Sequence, residues 1–150
     1  MTTGSVAVGE ALFGLAAVAI RRRDRTLSLT AASVLSTLER TGPRRLTDLA
    51  VSEEITQPSM TALVTQLTDL GLAERRRDAA DARVVLVAVT RAGSQQLRAM
   101  RSASASTLTE LIGKLDDQDA EALGAALPAL LRLAELADES QDSRTPLPKR

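Results

Sequence analysis

The hydrophobic period of this chain changes at Gly71. Before it, Met60, Leu63, Val64 and Leu67 recur at i, i+3, i+4 and i+7, the spacing of one buried face of an α-helix. After it, residues 72–77 and 83–90 read as two strands, the second carrying Val84, Val85, Leu86, Val87 and Val89. Residues 78–82, a short polar turn, join them. Thr56 is the expected N-cap of the helix, Pro58 falls in the first turn where no backbone donor is lost, and Gly71 closes the helix as a C′ residue. A helix that stops at a glycine and feeds directly into a hairpin leaves few architectures open to 150 residues, a length that suits one domain.

The rest of the chain reads as helix. Residues 6–23 place Leu12, Leu15, Ala16 and Ala19 on one apolar stripe, and Val8, Phe13, Ala17 and Ile20 on another. Two stripes suggest a helix covered twice, by its own domain and by a partner chain. Thr30 is the expected N-cap of a second helix, with Ala31, Val34, Leu35 and Leu38 inward and Gly42-Pro43 ending it. A short helix over residues 47–53 buries Leu46, Leu49 and Ala50. Residues 91–113 and 117–138 make two further helices, the second capped by Asp116 and kinked or loosened at Pro128. Residues 140–150 hold too little apolar content to pack and read as a disordered tail. There is no internal repeat.

Residues 11–20 form an apolar run that Arg21, Arg22, Arg23 and Arg25 follow. A signal peptide carries its positive charge before such a run, and ten residues fall short of the roughly 20 that span a bilayer. A cytoplasmic protein with no membrane partner is expected.

Composition narrows the chemistry. The chain has no cysteine and no histidine, which removes disulfides, thiol redox sensing, thiolate or imidazole metal sites and the common Ser-His and Cys-His nucleophile pairs. No phosphate-cradling glycine loop or cluster of catalytic carboxylates is present, so an enzyme is not expected, nor a cofactor; a carboxylate-only metal site alone stays open. Formal net charge is zero, so attraction to a polyanion would have to come from local patches.

Two short helices, the second with a polar outer face, followed by a two-stranded hairpin, make a winged helix-turn-helix. The fold class expected is mainly α with a small β-hairpin wing (α+β), flanked by N- and C-terminal dimerisation helices. Here the sequence resembles the MarR family of bacterial transcriptional regulators. The resemblance runs over about residues 6–138 and rests on LTDLA at 46–50, TQPSMT at 56–61, LGL at 70–72, and the wing pattern of Asp81, Arg83, Val87, Thr90 and Gly93. Val89 departs from that pattern, standing where Leu is usual. The resemblance implies a homodimer joined through residues 6–23 and 91–138, a winged helix-turn-helix over 30–90, and a pseudo-palindromic double-stranded DNA operator. It also implies a repressor released by a small apolar or aromatic ligand held between the dimerisation and DNA-binding parts. Leu12, Phe13, Ala16, Leu35, Leu97 and Met100 are the residues expected to line such a pocket, although Phe13 reads first as core.

Between Leu46 and Glu74 there is no Lys or Arg, while Asp48, Glu53, Glu54, Asp69 and Glu74 are acidic. The recognition helix therefore cannot supply the phosphate attraction that dominates DNA affinity. That work falls to Arg44 and Arg45 before the short helix, to Arg75, Arg76 and Arg77 at the start of the hairpin, and to Arg83 in the wing, which Asp81 would hold in place by an ion pair. Reading falls to the polar face: Gln57 and Gln66 suit adenine edges, Ser59 and Thr61 suit base edges or phosphate, and Ala62 suits a thymine methyl, with Pro58 and Thr65 beside them. The plain alternatives are a solvated hairpin surface for the arginine run and a solvated helix end for Arg21 to Arg23. The competing function is a dimeric protein-interaction module of the same fold with weak or lost DNA binding.

Overall fold

The computed structural model describes residues 3–22 and 25–142, the last two by backbone alone. The elements in chain order are α1 (Thr3–Arg22), α2 (Leu29–Thr41), β1 (Arg44–Arg45), α3 (Leu46–Ser52), α4 (Gln57–Asp69), β2 (Ala73–Arg77), β3 (Val85–Val89), α5 (Arg91–Ile112), α6 (Asp117–Ala125) and α7 (Leu127–Asp142). They fall into two compact units, one of Met1–Thr26 with Ala99–Leu127, the other of Leu27–Arg98 with Pro128–Arg150.

The second unit holds the winged helix-turn-helix. Its core draws on the expected stripes: Ala31, Val34, Leu35 and Leu38 from α2, Leu49 and Ala50 from α3, Met60, Val64 and Leu67 from α4, with Ala73, Val87 and Leu97 closing it, while Leu46 and Leu63, expected inward, are half-buried. α2 starts earlier than expected. Ser28, not Thr30, is its N-cap, accepting the Ala31 N–H at 3.0 Å. Capping at Ser28 puts Leu27 just before the cap and Ala32 at the fourth helical position, and both are buried, the arrangement of a hydrophobic staple.

α4 is bounded as the sequence implies. The Thr56 hydroxyl accepts the Ser59 N–H at 3.3 Å. At the other end Gly71 takes φ 70°, its N–H reaches the Thr68 carbonyl at 2.9 Å, and the Leu72 N–H reaches the Leu67 carbonyl at 2.9 Å. Those two bonds satisfy carbonyls that a helix end leaves open, and they need the left-handed backbone that glycine adopts without a Cβ clash.

The wing is a three-stranded antiparallel sheet of order β1-β3-β2, where a two-stranded hairpin was expected. Arg44 pairs with Val87 and Arg45 with Leu86 on one side of β3, while Ala73 to Arg77 pair with Val89 to Val85 on the other. β1 is only two residues long and exists because β3 offers it an edge.

In the first unit α1 carries no buried residue at all. Leu12 and Ala19 are half-buried, Leu15 and Ala16 are exposed, and Phe13 is 77% exposed. The expected stripes are present, but the described residues leave them exposed or half-buried. The helix is also twice as long as its apolar run, so by length and composition alone it could cross a bilayer. Arg23 lies outside the described residues.

The C-terminal helix differs from expectation. Pro128 does not kink one helix over 117–138; the chain breaks there into α6 and α7, with Pro128 in the first turn of α7. Proline has no N–H to donate and its ring clashes with the preceding turn, whereas in a first turn neither matters. α6 starts as expected, with Asp116 accepting the Asp119 N–H at 2.8 Å. α7 runs on to Asp142, so residues 140–142 are helical, not tail, and the Ser140 hydroxyl bonds the Leu136 carbonyl at 2.8 Å. Residues 143–150 lie outside the described residues.

Candidate nucleic-acid interface

The outer surface of α4 is polar, uncharged and accessible. Gln57, Pro58, Ser59, Thr61, Ala62, Thr65 and Gln66 are all exposed, and Met60, Val64 and Leu67 are buried on the opposite side. Several of the hydroxyls are already committed. Thr61 donates to the Gln57 carbonyl at 2.8 Å, Thr65 to the Thr61 carbonyl at 2.9 Å, and the Ser59 hydroxyl lies 2.9 Å from that of Thr56. Thr61 and Thr65 thus have their hydroxyl hydrogens in use and can only accept at those oxygens. The side-chain N–H donors of this face are the amides of Gln57 and Gln66, which can each meet an adenine edge as donor and acceptor together.

The basic residues separate into distinct environments. Arg75 extends from β2 to α4, its Nη2 3.0 Å from Thr65 Oγ1. Arg76 is paired with Glu74. Arg77 and Arg45 are exposed. Arg44 is 8% exposed and donates from Nε to the Thr41 hydroxyl at 3.0 Å, so of the 44–45 pair it is Arg45 that faces solvent. Arg83 is 95% exposed; Asp81 accepts its backbone N–H at 3.0 Å and lies 4.0 Å from its guanidinium. The carboxylate therefore shapes the turn as well as attracting the side chain, an Asx turn of the kind that fixes tight loops.

Two positions given no individual role from sequence hold this surface together. The Thr90 hydroxyl donates to the Gly71 carbonyl at 2.7 Å and accepts the Gly93 N–H at 3.1 Å, while the Thr90 N–H reaches the Leu72 carbonyl at 3.0 Å. Thr90 so joins the exit of α4, the end of β3 and the first turn of α5. Gly93 is buried in that joint, where a Cβ would stand 2.1 Å from the Leu72 carbonyl oxygen. The Thr-x-x-Gly of the wing pattern was the available signal.

The turn between α3 and α4 carries a strained residue, Glu54, at φ 54°. Beside it Glu53 accepts the Ser33 hydroxyl at 3.0 Å, tying the turn to α2. Burial raises the Glu53 carboxyl above its ordinary range, and the Ser33 bond opposes this only in part. A raised folded-state value means the native protein binds this proton more readily than the unfolded chain. The stabilisation is complete below the ordinary carboxylate value and is lost as pH rises through the folded value. Glu53→Gln keeps an acceptor for Ser33 and should stabilise the protein at pH 7, by no more than about 0.5 kcal/mol because solvent screens the half-buried group. Urea midpoints at pH 7 and pH 4 check this; an equal gain at both would mean that ionisation is not the cause.

The residues expected to line a ligand pocket are contributed by both units. Leu35 and Leu97 lie fully inside the winged unit's core, while Leu12, Phe13, Ala16 and Met100 belong to the other unit. Among the described residues no group of three or more acidic side chains is placed to hold a metal ion.

Comparison with known proteins agrees with this geometry. The MarR family model matches residues 27–85. An HTH-type transcriptional regulator of Mycobacterium leprae is 33% identical over 120 residues, covering 80% of this chain and 82% of the relative. A transcriptional regulator of Thermotoga maritima shares the fold with a TM-score of 0.73 at 20% identity, over 90% of this chain and 96% of that one. A mutant of Staphylococcus aureus MepR bound to an oligodeoxyribonucleotide does so with a TM-score of 0.65 at 20% identity, over 89% and 99%. With one third of the aligned residues identical across four-fifths of each chain, and with the family's match running from just before α2 to the start of β3, this chain belongs to the MarR family of transcriptional regulators.

Proposed function

We propose that the protein is a cytoplasmic, ligand-responsive repressor that binds a pseudo-palindromic operator as a homodimer and has no enzymatic activity. The observation that carries this reading is the exposed face of α4, uncharged and hydrogen-bonding, with the arginines of the adjoining wing beside it. An amphipathic helix of this kind suits the major groove, and an arginine as exposed as Arg83 suits the minor groove. The whole chain acts as one functional domain, with residues 6–23 and 91–138 as its dimerisation part. Phe13, Leu15 and Ile20 on α1 and Leu131, Leu133 and Leu136 on α7 expose apolar surface that a second copy would cover. That role for α1 accounts for its apolar character without a membrane. The ligand, a small apolar or aromatic molecule, follows from the family likeness.

Enrichment of bound sequences from random duplex DNA tests the reading. The full chain should sediment at twice its 15.9 kDa mass and select an inverted repeat. Gln57→Ala or Gln66→Ala should then cost about 1–3 kcal/mol on the selected sequence and much less on random DNA. Binding that selects nothing and ignores salt would leave the dimeric protein-interaction module in its place.

A further inference from the structure

We propose that Arg75 and Thr65 form a single base-reading unit that takes a guanine in the major groove. The inference rests on the DNA-binding reading above and separates Arg75 from its neighbours Arg76 and Arg77.

The recognition helix has no cation of its own. Pro58, Thr61, Ala62 and Thr65 follow one another at i, i+3, i+4 and i+7 along its exposed side, directly opposite the buried Met60, Val64 and Leu67. This outward line is the part of the helix that would face the floor of a groove. Strand alternation sends a positive charge to it. Along β2, side chains alternate between the two faces, so Arg75 shares a face with the buried Ala73, while Glu74 and Arg76 share the other and pair with each other. Arg75 reaches across to α4 and gives one Nη2 hydrogen to Thr65 Oγ1 at 3.0 Å.

That bond has a fixed direction. A guanidinium only donates, and the Thr65 hydroxyl hydrogen is already used on the Thr61 carbonyl at 2.9 Å. The Thr65 lone pair thus anchors one Nη2 hydrogen and leaves the other guanidinium donors available to a ligand. Arg75 has no carboxylate partner among the described residues, whereas Arg76 is paired with Glu74.

A planar, anchored, fully charged fork of donors on the outward line matches one base edge. Guanine offers two adjacent acceptors, O6 and N7, in the major groove. Adenine and cytosine each present an amino donor there, which repels a group that only donates, and thymine adds a methyl group. A phosphate contact would need no anchor on the reading face, because any arginine free at the edge of the wing can make one.

The test uses the full-length chain, with circular dichroism and sedimentation confirming that every variant is folded and dimeric. Wild-type protein should select a G·C pair at one symmetry-related position in each half-site. Replacing that pair by A·T, or its guanine by 7-deazaguanine, should weaken binding roughly 10- to 100-fold. In Arg75→Ala the preference at that position should vanish while preferences elsewhere in the site survive. Arg75→Lys keeps the charge but not the fork and should lose the same preference. Thr65→Val removes only the anchor; it should relax the preference and leave the salt dependence unchanged. A uniform loss on all sequences in Arg75→Ala, restored by Arg75→Lys, would make Arg75 a phosphate contact and overturn the inference while the proposed function stands. A G·C preference that survives Arg75→Ala would overturn it too. Wild-type protein that selects no sequence would overturn the proposed function itself.

Discussion

Gly93→Ala should cost the winged unit about 3 kcal/mol or more, a large share of the roughly 5–15 kcal/mol that holds a small domain folded. The added methyl would stand 2.1 Å from the Leu72 carbonyl oxygen and 2.8 Å from Val89 Cγ2. The first of these is backbone and is held in place, because the same oxygen accepts the Thr90 N–H at 3.0 Å and the Leu72 N–H is tied to Leu67 at 2.9 Å. Relief would require α5 to move off the sheet and break the Thr90 bonds to Gly71 and Gly93. Ala92→Ser, one position away and exposed, serves as the control and should stay within about 0.5 kcal/mol of the parent. Denaturant unfolding measures both, and a Gly93→Ala protein as stable as the control would mean that the approach of α5 to Leu72 is easily loosened.

The second large effect is on DNA affinity. Arg76, Arg77 and Arg83 are exposed on the wing and are the residues we assign to phosphate and minor-groove contact. Replacing all three by Ala removes six contacts from a dimer, which should flatten the dependence of log K on log salt by roughly five units. Specific and random DNA should suffer alike from the loss of Arg76 and Arg77, whereas Arg83→Ala alone should fall hardest on sites with A·T-rich flanks. Asp81→Ala should reproduce a weaker version of Arg83→Ala, because Asp81 holds the Arg83 backbone N–H as well as attracting its side chain. A folded, dimeric triple variant with an unchanged salt slope would show that the arginines are only solvated surface.

What could be read in advance depended on whether the deciding contacts were local. α4 was legible because its start, its stripe and its stop are all written within 16 residues, from Thr56 through Met60, Leu63, Val64 and Leu67 to Gly71. β1 was not, since Arg44 and Arg45 become a strand only by pairing with Leu86 and Val87 some 40 residues later. The same pairing explains why two adjacent arginines that look alike in sequence differ in place: neighbours on a strand point to opposite faces, so Arg44 is buried and Arg45 is exposed. The choice of Ser28 over Thr30 as cap was decided by the burial of Leu27 and Ala32. The bond from Arg75 to Thr65 crosses a helix end and a turn, and no spacing rule connects those two positions. The Gly93 approach was visible as a glycine in a motif, but only the backbone of Leu72 beside it explains why the glycine is there.

The unshielded state of α1 has a consequence for how much working protein a cell holds. A 20-residue helix with glycines at positions 4, 9 and 14 and no buried side chain has little to sustain it in a lone protomer. In the proposed dimer its order arrives together with the second copy, so folding of this end of the chain is a second-order event governed by mass action. While protomers are in excess, halving the protein's abundance cuts the number of complete dimers about fourfold by that law. A repressor assembled this way would respond to its own dilution, during growth and division, more steeply than its gene dosage alone would dictate.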